Sequence, residues 1–168
     1  MKKVRRGMFE TNSSSTHTII ITDQNCEPGA LVDFQIGEFG WSHHILSTID
    51  EKASYLYTLA CECYNRDVYQ DLYEILVKYG VDCECSRPAV FKHCEYGDYL
   101  DNGYVDHSYC GRDFVDAIFH SERRLIRYLF SDESFVITGN DNCDEDEYEE
   151  MEKEANVPYD HEEYYKGN

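Results

Sequence analysis

From residue 16 to residue 22 the chain runs Thr-His-Thr-Ile-Ile-Ile-Thr, a β-branched segment that predicts a strand. It is closed by the turn-rich Asp23-Gln24-Asn25 and by Pro28-Gly29. Ala30 to Ile36 predicts a second strand, and Gly37-Glu38-Phe39-Gly40-Trp41 a loop whose glycines present the acid or simply anchor an aromatic ring. Ser47 and Thr48, with Asp50 and Glu51 three residues on, predict a capping box at a helix start. Leu56, Leu59, Ala60, Cys63, Val68, Leu72, Ile75, Leu76 and Tyr79 then recur at helical spacing up to Gly80. This predicts one long helix, or two that part at Asn65-Arg66-Asp67. Val81 to Cys85 predicts a strand stopped by Pro88, with Ala89 to His93 as its neighbour. Asn102-Gly103 predicts a hairpin turn between Tyr99-Leu100 and Tyr104-Val105. A second helical region spans Phe114 to Phe130, re-initiated at Ser121, and Phe135 to Thr138 predicts a last strand.

Strands at both ends with helices between them predict an α+β fold: a single domain over residues 1–142, with a mixed β-sheet and helices packed on one face. Residues 143–168 read as an acidic tail, partly helical around Glu147 to Glu154 or flexible. Charge sharpens this division. The 168 residues carry a net charge of -19. The stretch from Asp141 onward holds 12 acids and 2 bases, so about half of the charge lies at the end of the chain, while Lys2, Lys3, Arg5 and Arg6 make a basic start. Such a chain is a poor ligand for free DNA or RNA, which need a basic surface, and a good one for a basic protein or a ribonucleoprotein. No apolar run approaches the roughly 18 residues of a membrane helix, and the polar Glu10 to Thr16 follows the basic start where a signal peptide needs apolar residues. A cytoplasmic location is the expectation, with the eight cysteines reduced or binding metal.

The candidate chemistry centres on Phe9-Glu10-Thr11-Asn12-Ser13-Ser14-Ser15-Thr16-His17. A hydroxyl-rich run of this kind is commonly a loop that satisfies its own backbone. As a site, Ser13, Ser14, Ser15 and Thr16 would hold a phosphate, with Glu10 and His17 moving protons. Asp106-His107-Ser108 and Asn140-Asp141-Asn142 are further polar clusters, and Glu38 joins them as an exposed acid. Metal-free RNA cleavage needs a base, an acid and phosphate donors, and Glu10, His17, His107 and the hydroxyls make up that set if the fold gathers them. Cys83 and Cys85 share a strand face, and with His93 and Cys94 they form the better zinc candidate, although the usual two-residue gap between paired cysteines is missing. Cys61 and Cys63 point to nearly opposite sides of a helix, and Cys63 reads as a core residue. The tyrosines along the first helical region divide between core and interface roles.

The run Arg6-Gly7-Met8-Phe9-Glu10-Thr11-Asn12-Ser13-Ser14-Ser15-Thr16-His17 resembles the start of a group of small proteins from bacteriophages, prophages and related mobile elements. Gly37 to Trp41, Val105 to Ser108 and Thr138 to Asn142 are similar to further stretches of that group, so the likeness touches residues 6 to 142 and leaves out the tail. The group looks like one that includes inhibitors of type II CRISPR effectors, some acting by shortening the guide RNA. The resemblance implies a counter-defence protein, with Glu10, Ser14, Thr16, His17 and His107 in its active region. Three readings stand side by side: an anti-CRISPR-like ribonuclease that docks on a basic effector and cuts its RNA; a non-catalytic acidic inhibitor or protein-binding module that imitates nucleic acid; and a zinc-stabilised small domain.

Overall fold

The computed structural model describes residues 15–22, 26–40, 44–95, 97–106, 111–140 and 163–167; for 15, 16, 140 and 163–167 the description is of the backbone. Ten strands and four helices follow in the order β1 (Ser15–Ile21), β2 (Leu31–Gln35), β3 (Glu38–Phe39), β4 (His44–Leu46), α1 (Ile49–Tyr64), α2 (Tyr69–Leu76), β5 (Asp82–Arg87), β6 (Phe91–Cys94), β7 (Gly97–Leu100), β8 (Tyr104–Val105), α3 (Gly111–Phe119), α4 (Glu122–Phe130), β9 (Phe135–Asn140) and β10 (Glu163–Gly167). The main sheet is antiparallel throughout, in the order β10-β1-β9-β4. Three two-stranded sheets flank it. The pairs β2–β5 and β3–β8 are parallel and β6–β7 is antiparallel, so parallel and antiparallel pairing mix between sheets and not within one.

Period-2 alternation along β1 assigns its two faces. Ile19 and Ile21 enter the main core, with Val136 of β9, Leu46 of β4 and the inner sides of the four helices. Ile20 lies on the opposite face with Phe135, Ile137 and Ile45. The chain is thus one α+β domain whose helices share a core with one face of the sheet. The long helical stretch parts where expected. Thr48 caps α1 and exchanges hydrogen bonds with Glu51 in a complete capping box, and Asn65, at φ 50°, turns the chain out of the helix before α2. Ser121 accepts from the amide of Arg124 and starts α4.

Three local pairings differ from the sequence reading. Ala89 to His93 does not neighbour β5, because β5 lies beside β2 and β6 folds back on β7. Asn102-Gly103 is not a hairpin turn between β7 and β8. Gly103 is pressed against the backbone of Gly37, where a Cβ would stand 2.3 Å from the Gly37 carbonyl oxygen, and β8 pairs with β3 instead. Gly37 to Phe39, read as loop, therefore carries a short strand. Lastly, residues 163–167 form β10 on the open edge of β1, where the acidic tail was expected to be helical or flexible. Two consecutive tyrosines give this segment the β propensity of aromatic residues. The helix expected around Glu147 to Glu154 lies outside the described residues.

No helix among the described residues is long and apolar enough to cross a membrane.

Candidate functional site

His17 lies on the core-facing side of β1, one pleat beyond Ile19, in a row with Thr138 of β9 and His44 of β4. Its side chain is 1% exposed. The Nε2 atom is 2.6 Å from the carbonyl oxygen of Asp106, and since a carbonyl only accepts, Nε2 carries the hydrogen. In the neutral ring, Nδ1 then accepts from the Tyr55 hydroxyl at 3.2 Å. Both ring nitrogens are engaged by the protein itself.

Helix α1 supplies the other half of this arrangement. Tyr55, Thr58 and Glu62 fall at i, i+3 and i+7, one face of the helix. Tyr55 holds His17 and packs its ring edge-on to Phe39, with centroids 5.3 Å apart. Thr58 is fully buried and its Oγ1 accepts from the amide of Gly37 at 2.9 Å. Glu62 Oε2 accepts from the amide of Val105 at 2.9 Å. Parallel pairing completes the frame, as the amides of Tyr104 and Asp106 donate to the carbonyls of Gly37 and Phe39 at 3.0 and 2.9 Å. One helix face therefore pins three of the four polar motifs, those at His17, at Gly37 and at Val105-Asp106. The fourth is carried by the sheet, since Ser15 and Thr16 of β1 stand opposite Asn140 and Gly139 of β9.

The candidates divide as follows. His17, Ser15, Thr16, Asp106 and Asn140 are brought to one end of the sheet, with Glu38 exposed on the adjoining β3. Glu10, Ser13, Ser14, His107, Asp141 and Asn142 lie outside the described residues, although His107 directly follows Asp106 and Asp141 directly follows Asn140 in the chain.

Glu62 and Tyr55 were not singled out by sequence. Burial pushes the Glu62 carboxyl up to about 7, against the pull of the Val105 amide and with a further push from the Asp106 carboxylate. The signal was present: an acid two turns beyond Tyr55, on a helix face that faces inward. It was masked by the apolar stripe running beside it.

The cysteine candidates are spread over separate hydrogen bonds. Cys83 faces the carbonyl of Val81, Cys85 the Tyr57 hydroxyl and Cys94 the carbonyl of Gly97, while His93 Nδ1 is 2.8 Å from Asp98. Among the described residues no three His, Cys, Asp or Glu side chains come together as a metal-ligand group. Burial raises the thiols of Cys83 and Cys63 to about 11 and that of Cys61 to about 12, which keeps them protonated near neutrality. Cys61 is fully buried in the core, and Cys63 packs against the core from its edge.

Compared with protein-family models, with curated proteins and with solved structures, the chain matches none.

Proposed function

We propose that this chain is a counter-defence protein of mobile genetic elements, one that docks on a basic nucleoprotein effector and disables it by contact. The carrying observation is the convergence of four polar segments on one end of the sheet, three of them held there by a single face of α1 and the fourth by the pairing of β9 with β1. Hydrogen bonds spent on gathering segments far apart in sequence favour a shared surface over four unrelated loops. The buried, doubly engaged His17 favours contact over proton transfer by that ring, since a general base must reach its substrate. The net charge of -19 supports a basic partner and steers the encounter.

A second reading, cleavage of the effector's RNA at this same end, draws support from Glu62. A carboxyl poised near neutrality beside Asp106 is the kind of group acid–base chemistry uses. One experiment separates the two: the full chain is incubated with a type II CRISPR effector loaded with guide RNA, and DNA cutting and guide length are both followed. Contact inhibition blocks cutting with the guide intact on a denaturing gel. A shortened guide moves the assignment to cleavage, and unimpaired DNA cutting at saturating protein removes this effector class as the target. Charge is tested by replacing Asp144, Glu145, Asp146, Glu147, Glu149 and Glu150 with their amides, since trimming the chain after Asn142 would also delete β10. Binding should weaken about tenfold or more and lose much of its salt dependence.

A further inference from the structure

The dipeptide Val105-Asp106 is held from three directions. Glu62 takes the amide of Val105, the carbonyl of Phe39 takes the amide of Asp106, and His17 Nε2 donates to the Asp106 carbonyl. Two of these holds come from ordinary elements of the fold, a parallel strand pair and a sealed histidine. The third comes from a carboxyl group, and an amide bonded to a carboxylate is held roughly twice as strongly as one bonded to a neutral acceptor. We infer that Glu62 is a positioning residue that regulates this end of the molecule, its ionisation tightening and its protonation loosening the grip on Val105 and on Asp106 after it.

This rests on the reading of that end as the functional surface. The direction follows from the surroundings. The Asp106 carboxylate at the end of β8 acts on Glu62 directly; the neighbouring Cys63 thiol on α1 feels Glu62 together with Arg112 and Asp116 of α3, and His17 lies across the Asp106 carbonyl. Arg112 donates to the Cys63 carbonyl and Asp116 accepts from the Tyr64 hydroxyl, so both α3 charges are engaged at the two residues that follow Glu62 on α1. The negative neighbour Asp106 and burial both favour the protonated carboxyl, which brings its midpoint to about 7. The grip is accordingly strong above that pH and weak below it, and ionisation also sets two like charges at the end of β8.

The test is a proton–nitrogen NMR titration of the full chain from about pH 5 to 8.5. In the wild type the Val105 amide should move with a single midpoint within about one unit of 7, the Asp106 amide following. Glu62→Gln, which keeps an acceptor but cannot titrate, should abolish the step. A flat Val105 amide in the wild type overturns the proposal. So does the same step surviving in the variant, because His17 is intact there and the step would belong to another group. Should the variant not fold, the Glu62 side-chain carboxyl carbon in the wild type decides: a midpoint matching that of Val105 supports the assignment, and one below about 5.5 sinks it. No partner takes part in these measurements, so a failed effector assay leaves this result standing, and a flat amide leaves the docking proposal standing.

Discussion

Helix α1 carries an ionisable side chain drawn out of water near each end, one fully and one in part, and each stands where the helix dipole disfavours its charge. Lys52 lies in the first turn, where a cation opposes the positive end, and Glu62 lies in the last turn, where an anion opposes the negative end. The fold treats them differently. The Lys52 ammonium is sealed at 1% exposure and donates to the carbonyls of Ser131 and Ser134 at 2.8 and 2.9 Å, so it closes the C-terminal end of α4 as a fixed part of the structure. Glu62 is only partly buried, accepts from the Val105 amide and faces another acid. Two backbone carbonyls fix the lysine in place and the Val105 amide holds the glutamate, yet burial shifts both groups toward their neutral forms, so both respond to pH, in opposite directions.

The contrast can be broken most severely at the Glu62 end without touching the carboxyl. Gly103→Ala places a methyl group against the Gly37 carbonyl and the Ile36 side chain, and backbone cannot yield as a flexible side chain does. It should cost about 3 kcal/mol in urea denaturation and separate β8 from β3. Next comes Lys52→Met, which leaves two carbonyls without their donor while relieving a buried charge. A net loss of about 2 kcal/mol at pH 7 is expected from the same measurement. Tyr55→Phe removes the hydroxyl on His17 Nδ1 and should cost about 1.5 kcal/mol, with the His17 ring resonances shifted.

The smallest effects are the most specific, because they separate the two ends by pH. Glu62 has a folded value near 7 against an ordinary 4.5, so its favourable contribution is complete below about 4.5 and is lost as pH rises to 7. Glu62→Gln should remove that fall and leave the protein about 1 kcal/mol more stable than wild type at pH 8, the figure being reduced because the carboxyl is partly open to water. Lys52 runs the other way. Burial lowers it to about 8 from 10.5, so its contribution is complete above about 10.5 and is lost as pH falls through 8. Thermal melts between pH 8 and 10 should show stability rising in the wild type and less so in Lys52→Met.

Much of the fold was legible because it rests on local signals. The capping box at Thr48 and Glu51, the break at Asn65, the restart at Ser121 and the β-branched run of β1 each follow from residues within one turn or one pleat of each other. The pairings were less legible. The pair Asn102-Gly103 has the composition of a hairpin turn, yet Gly103 is small for another reason, the approach of Gly37 from more than sixty residues earlier in the chain. The candidate site followed the same division. His17 and Asp106 stood out by composition and do meet, but the residues that join them to the rest, Tyr55, Thr58 and Glu62, look from the sequence like ordinary helix positions.

By itself, then, the amino-acid sequence determined the helices, most of the strands, the acidic balance and the polar motifs, since propensity, periodicity and charge are carried by neighbouring residues. Only the tertiary structure decided that His17 is sealed and that a lysine and a glutamate on one helix have opposite fates. Burial and the supply of hydrogen-bond partners depend on groups the chain brings in from a distance, and those set the free energy of a charge.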